Sequence, residues 1–326
     1  MEQRILGKTG RTVSVVGLGT WQLGADWGAV DPEQAQAVLA ASAEAGVTFF
    51  DTADVYGDGR SEQAIGAFLA KNPGLDITVA TKMGRRAEQV PENYSLANFR
   101  QWVDRSRRNL GTDTLDLVQL HCPPTAVYSS AEVYDALDTL VAEGAIRSYG
   151  VSVERTDEAL KAIRHSGTAS VQIILNAFRL KPLDEVLPAA KAAGVGIIAR
   201  VPLASGLLTG KYTRDTDFPE DDHRNYNRTG SAFDVGETFS GVDFELGLKA
   251  VAEFEQLVPA GASMAQTAIA WAAARDGVTT VIPGARNVEQ AQANAAAASV
   301  ALGEEFDDGV RWIYDHYFRD AIHPRW

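Results

Sequence analysis

Eight short apolar runs, each bounded by turn residues and separated from the next by a longer stretch, constrain this chain more than any other feature. They occupy residues 13–19, 47–52, 77–82, 116–121, 147–152, 170–175, 195–200 and 279–283. Several are continuous, as in VTFF, ITVA, VQIIL and TTVI. That pattern belongs to parallel strands buried on both faces, whereas half-exposed antiparallel strands alternate. The intervening segments read as helices. In the first, Asp31 can cap, Pro32 suits the first helical position, Ala35, Val38, Leu39 and Ala43 recur on one face, and Gly46 ends it. Eight parallel strands alternating with helices predict an α/β fold, a (β/α)8 TIM barrel.

The units share spacing but not sequence, which favours a closed barrel over a repeat array. A doubly wound nucleotide-binding sheet is the competing reading, because Gly17-Leu18-Gly19 follows an apolar run. It fails at Gln22, where the G-x-G-x-x-G fingerprint needs its third glycine, and a hairpin-like turn at Gly7 to Gly10 precedes it. Two stretches break the rhythm: 201–242 after the seventh strand, expected as a long mobile loop, and a C-terminal helical tail from 299 to 326. The Ala-rich segment 287–298 reads as helix.

With 326 residues and 45% hydrophobic content, one domain spanning 1–326 is expected. A net charge of −13 argues against a broad nucleic-acid footprint. The lone cysteine, Cys122, allows no intrachain disulfide and reads as a small buried hydrophobe beside a strand end. The N-terminal MEQRILGKTGRTV has no apolar signal region, and no run is long enough to span a membrane. A soluble, cytoplasmic protein that binds neither nucleic acid nor membrane is the expectation. The sequons at Asn93 and Asn227 carry no weight in such a protein.

Asp51, Lys82 and His121 each stand at the end of an apolar run, and Tyr56 follows Asp51 in a Gly-containing loop. Polar or ionisable strand ends are where a parallel barrel keeps its chemistry. A Tyr hydroxyl is a poor acid near neutral pH, and a cation beside it eases loss of its proton. Lys82 can supply that charge, Asp51 can hold the ammonium, and His121 can donate a neutral N–H or relay a proton to the same substrate oxygen. Singly, Asp51 reads as a cap and Tyr56 as a rim residue. Lys82 and His121 are costly to bury without partners. His165, His223, His316 and His323 show no metal-ligand spacing, so no metal is expected.

The chain resembles the aldo-keto reductases. FFDTADVYGDGRSEQAIG, VATKMG, LDLVQLHCPP, IRSYGVSV, VPLASGLLTGKY and VIPGARNVEQAQAN occur in the family's order over nearly the whole length. Within the family it is similar to the bacterial branch that also resembles potassium-channel β subunits. The resemblance implies a nicotinamide cofactor across the C-terminal mouth, with Tyr56 as the acid supported by Lys82, Asp51 and His121. It places Ser152 and Gln172 at the carboxamide. The family's Asn after that Ser is Val153 here, with Asn176 open as a substitute. Arg200 stands where relatives often stack an aromatic ring. A cation there is less comfortable facing an oxidised ring than a reduced one, which leans toward reduction as the favoured direction.

The same resemblance assigns Pro202, Leu203, Ser205, Gly206, Leu208, Gly210 and Lys211 to the pyrophosphate, with backbone N–H groups and Lys211 as donors. Gly284, Arg286, Gln290 and Asn294 correspond to the adenosine site, Arg286 meeting a 2′-phosphate. NADP(H) is therefore expected over NAD(H), although Gln290 stands where relatives often carry Arg. Trp21 and Trp27 are candidate substrate-pocket walls. Trp312, Tyr314, Phe318 and Trp326 in the tail suit either a pocket wall or an amphipathic helix packed on the barrel. The leading expectation is an NADP(H)-dependent reductase of aldehydes or ketones. Two alternatives stay open: a cofactor-bound sensor or regulatory subunit with little turnover, and a Schiff-base enzyme using Lys82.

Overall fold

A computed structural model describes residues 1–24, 31–220, 222–232 and 234–326. Strand β1 (Gln3–Ile5) pairs antiparallel with β2 (Thr12–Ser14) around a 3-10 turn at Gly7–Thr9. The barrel follows as β3 (Leu18–Gly19), β4 (Phe49–Asp51), β5 (Thr78–Met83), β6 (Leu115–His121), β7 (Ile146–Ser152), β8 (Thr168–Ile174), β9 (Gly196–Arg200) and β10 (Val278–Val281). These eight strands pair in sequence order, each parallel to the next. Parallel bridges from Val16 to Val281 and from Gly19 to Gly284 bring the two edges together.

The first expected strand, 13–19, is corrected: its first half is β2 and only its end, β3, joins the barrel. The reason lies in the barrel's lower end, which needs a plug. Leu6 and Val13 of the hairpin are fully buried and cluster with Phe49, Ala80, Leu117 and Ile198 of β4, β5, β6 and β9 and with Ile282 just past β10. A Cβ on Gly7, where φ is +48°, would lie 2.2 Å from the Gly196 nitrogen and 2.3 Å from the Ala169 carbonyl oxygen. The hairpin turn is thus pressed against the start of β8 and β9, and glycine permits the contact.

Helices α1 (Pro32–Glu44), α2 (Arg60–Lys71), α3 (Leu96–Leu110), α4 (Ala131–Ala142), α5 (Thr156–Ile163) and α6 (Val186–Ala193) follow β3 to β8 in turn. Asp31 caps α1 through the Glu33 N–H, as its sequence signals. Outward strand residues such as Phe50, Val79, Val118, Val151 and Ile197 pack with helix residues such as Leu39, Ile65, Val103 and Leu137 in the larger core.

After β9 the segment 201–242 was expected without structure of its own. It instead contains 3-10 turns and the short α7 (His223–Tyr226), folded on an aromatic cluster. Tyr212 and Phe218 lie 5.2 Å apart by ring centroid, Phe218 and Phe239 5.8 Å, and Phe239 and Phe244 5.0 Å. Spacing over many residues hides such a cluster from periodicity. Helices α8 (Phe244–Glu255) and α9 (Met264–Ala273) lead to β10, then α10 (Val288–Ala296), α11 (Phe306–Tyr317) and α12 (Arg319–Ile322). The tail's aromatics mostly pack: Tyr314, Phe318 and Trp326 are buried, while Trp312 is 53% exposed. Among the described residues no helix is long and apolar enough to cross a membrane.

Candidate active site

Side chains alternate along a strand, so residues two apart share a face. Phe49, Ala80, Leu117 and Ile198 face the apolar plug. Two positions further on stand Asp51, Lys82, Gln119 and Arg200, and two beyond Gln119 stands His121. Register aligns His121 with Ser152 and Ser152 with Gln172. The interior therefore changes from apolar to polar toward the C-terminal ends of the strands. His121, Ser152 and Gln172 form one row of that upper layer.

Asp51 and Lys82 are 3% and 1% exposed. Burying either charge alone costs several kcal/mol, so the pair persists only because its valences are filled. Lys82 Nζ donates to Asp51 Oδ2 at 2.5 Å, to the Thr52 carbonyl at 2.8 Å and to the Tyr56 hydroxyl oxygen at 3.2 Å. Asp51 Oδ1 accepts from Gln172 Nε2 at 2.7 Å and from Gln119 Nε2 at 3.3 Å. An ammonium has three N–H groups, and all three are committed. Burial pushes the Lys82 pKa down, but the Asp51 and Tyr56 charges outweigh it and the net shift is upward. A charged, enclosed ammonium is not the neutral amine that a Schiff base requires, which counts against that alternative.

Because the Tyr56 oxygen accepts from Lys82, its own O–H is left to point elsewhere. Burial raises the Tyr56 pKa. Lys82 acts on Tyr56 in the expected direction, lowering its pKa by charge and by hydrogen bond, and only partly offsets that rise. His121 lies 5.9 Å from Tyr56 by ring centroid in an edge-on arrangement. Burial, with Arg85, Lys82 and Arg200 nearby, holds its pKa well below 6.5, and its Nδ1 has no hydrogen-bond partner. His121 is thus a neutral imidazole at pH 7.

Tyr56 is carried by a tight turn in which Gly57 has φ +58° and Asp58 φ +54°. Arg105 holds this turn through the Asp54 carbonyl at 3.0 Å and the Asp58 carbonyl at 2.7 Å. Trp21 stacks on Tyr56 at 6.2 Å and lies 5.2 Å from His223. Trp27 lies outside the described residues.

The cofactor candidates divide. Ser152 is buried beside His121 and accepts from the Cys122 thiol at 3.4 Å. Gln172 turns its amide N–H toward Asp51. Asn176 donates both amide hydrogens, to the Val201 carbonyl and to Ser240, and accepts from the Phe178 N–H. Pro202 and Leu208 are buried and Leu203 partly so. The N–H groups of Gly206, Leu208 and Gly210 bond to carbonyls of the same turn, and Ser205 Oγ holds the Glu237 carbonyl and the Phe239 N–H. Lys211 remains exposed. Gln290 accepts from the Arg286 N–H at 2.8 Å and Asn294 donates to the Gly284 carbonyl at 3.0 Å, so both order the turn that carries Arg286.

Arg200 departs furthest from expectation. Its guanidinium pairs with Glu154 and Glu237, so its charge is offset and the argument for reduction over oxidation loses its premise. Cys122 is half-buried beside this cluster, with φ +47°, and burial pushes its thiol up to about 12. Cys122, Glu154 and Glu237 place ligand atoms within 4.8 Å of one another. The guanidinium between the carboxylates and the protonated thiol make this an ion-pair cluster. Gln119, Arg85, Glu154 and Glu237 escaped the sequence reading. Only Gln119 had a signal, a polar residue on the same strand face as His121.

The Aldo/keto reductase family model matches residues 15–311, and the chain belongs to that family. It is 31% identical to a probable voltage-gated potassium channel subunit beta of Oryza sativa subsp. japonica, over 92% of each chain. It is 29% identical to an aldo-keto reductase of Schizosaccharomyces pombe whose name specifies NADP(+), over 94% of this chain and 89% of that one. Among solved structures, the glycerol dehydrogenase of Gluconobacter oxydans is 31% identical with a TM-score of 0.81, covering 99% of this chain and 98% of the other.

Proposed function

We propose that this chain is an NADP(H)-linked oxidoreductase interconverting aldehydes or ketones with alcohols, with Tyr56 as the proton donor and acceptor at the substrate oxygen. One observation carries the reading: Lys82 places its third N–H on the Tyr56 oxygen at 3.2 Å, leaving the phenolic hydrogen for a substrate. Phenolate formation is favoured by the same contact, because the ammonium stabilises negative charge on that oxygen. Asp51 keeps Lys82 charged and in place. Gln172 and Gln119 hold Asp51. His121, neutral and adjacent, supplies a hydrogen bond to the same substrate oxygen and aligns the carbonyl. Trp21 forms one wall of the approach.

A nicotinamide cofactor supplies or takes the hydride. The residues present fit such a group: Ser152 offers a hydroxyl at the upper layer, Arg200 a planar face, and Lys211 and Arg286 exposed cations for phosphates. Buried polar atoms without partners, Gln22 Oε1 beside Gly284 and Arg200 Nε, lie along the same rim. The name of the yeast relative and the cation at Arg286 both support NADP(H) over NAD(H).

Fluorescence titration with NADPH and NADH, followed by addition of an activated aldehyde, tests the reading. Tight NADPH binding and loss of reduced-nicotinamide absorbance are expected. Binding without oxidation across a carbonyl panel would favour a sensor or regulatory role, which the channel-subunit relative makes concrete. No binding of either cofactor would remove the function altogether.

A further inference from the structure

Arg200 ends β9, and its guanidinium is held at both edges. Nη1 meets Glu237 Oε2 at 2.5 Å, and Nη2 meets Glu154 Oε2 at 3.1 Å and the Val153 carbonyl at 3.0 Å. The carboxylates come from separate elements, Glu154 from just past β7 and Glu237 from a 3-10 turn in the segment after β9. The three side chains are largely shielded, at 8% for Arg200 and 14% for each glutamate. A guanidinium bonded at its edges has its plane fixed, and its faces are what remain for a flat ring.

Charge then decides which ring such a face accepts. A reduced nicotinamide ring is neutral and an oxidised one is cationic, so an uncompensated arginine would disfavour the oxidised form. Here Arg85 and Arg200 are balanced by Glu154 and Glu237, with Arg85 Nη2 at 3.6 Å from Glu154 Oε1. Burial, with the adjacent Glu154 carboxylate, raises the Glu237 pKa, while Arg200 and Arg85 act to keep it ionised.

We propose that Glu154 and Glu237 set the oxidation-state preference of the cofactor site, offsetting Arg200 so that the oxidised nicotinamide binds on terms comparable with the reduced one. This rests on the nicotinamide placement proposed above. Its consequence is that NADP+ occupies the site at concentrations comparable with NADPH, so weak binding of the oxidised cofactor does not limit the oxidative direction, in which alcohol and oxidised cofactor give carbonyl, reduced cofactor and one proton.

The test is the ratio of NADP+ to NADPH dissociation constants, measured by calorimetry on the full chain and on the Glu154→Gln/Glu237→Gln double variant. The 2′-phosphate and adenosine are common to both forms and cancel in the ratio. The double variant is expected to weaken NADP+ relative to NADPH by roughly tenfold, the scale of a partly shielded charge interaction over several Å. Circular dichroism melting establishes folding. If the double variant does not fold, the single variants carry the test, each moving the ratio in the same direction by a smaller factor. A ratio unchanged from wild type, with both forms still bound, overturns the inference alone. A wild-type chain that binds neither form overturns the nicotinamide reading beneath it.

Discussion

Tyr56 and Asp54 sit two residues apart in one turn, and each is governed by what its polar atoms can reach. Among the described residues the Tyr56 hydroxyl has one hydrogen-bond partner, Lys82, and a hydrogen left over. Replacing it with Phe removes the donor while leaving the proposed cofactor contacts intact. Turnover should fall by roughly 10² to 10⁴, with cofactor affinity nearly unchanged, in single-turnover and titration measurements. Wild-type turnover in a chemistry-limited assay would reassign the acid. Asp54 is fully buried, and neither carboxyl oxygen has a hydrogen-bond partner. Burial and the Glu62 charge push its pKa up to about 7, against partial relief from Arg86 and Arg105. A raised carboxyl pKa means that the folded state holds its proton more tightly than the unfolded state. Stability therefore declines as pH rises from about 4 toward 7 and levels off above, by up to ~4 kcal/mol. Asp54→Asn should flatten that slope in denaturant melts taken across the range. Parallel slopes for variant and wild type would place the Asp54 pKa at its ordinary value.

At the scale of elements, the turn from Ala53 to Gly59 delivers Tyr56 because neighbouring segments meet it closely. A Cβ on Gly57 would fall 1.8 Å from the Gly24 carbonyl oxygen, at a backbone φ of +58°. Gly57→Ala should therefore cost about 1–3 kcal/mol in strain and displacement and lower turnover with it. Gly74 is a fair control, since nothing lies within 4 Å of its Cβ position. Thermal melts that fall equally for Gly57→Ala and Gly74→Ala would show that the close contact with Gly24 carries no weight.

Across the whole molecule, the tail and the long segment after β9 brace each other. The Trp326 ring lies under the Arg179 guanidinium at 4.2 Å, and its Nε1 donates to Asp234 at 3.1 Å. Gly236 and Gly241 allow it close, for a Cβ at Gly241 would come within 2.2 Å of the indole. Glu237, which pairs with Arg200, lies in this same stretch. Trp326→Ala should destabilise the chain by about 3 kcal/mol or more, since it empties a buried aromatic position. Hydrogen exchange should quicken at residues 234–241. If melting falls without any change in exchange there, the tail stabilises the barrel but does not hold the segment that carries Glu237.

The eight parallel barrel strands and the strand-end positions of Asp51, Lys82 and His121, with Tyr56 in the loop after Asp51, were legible in the sequence alone, because burial on both faces writes continuous apolar runs and a polar residue ending such a run stands out. Gln119 was legible in principle through its two-residue offset from His121. Tertiary structure alone decided the rest. It divided the first expected strand between plug and barrel, turned Gln172 toward Asp51, and used Asn176 and Ser205 to tether the long segment. It also paired Arg200 with Glu154 and Glu237, residues 46 and 37 positions away along the chain. Apolar periodicity reports which face of an element is buried. The partner of a buried charge is chosen by where separate loops meet in space, and no local pattern encodes that.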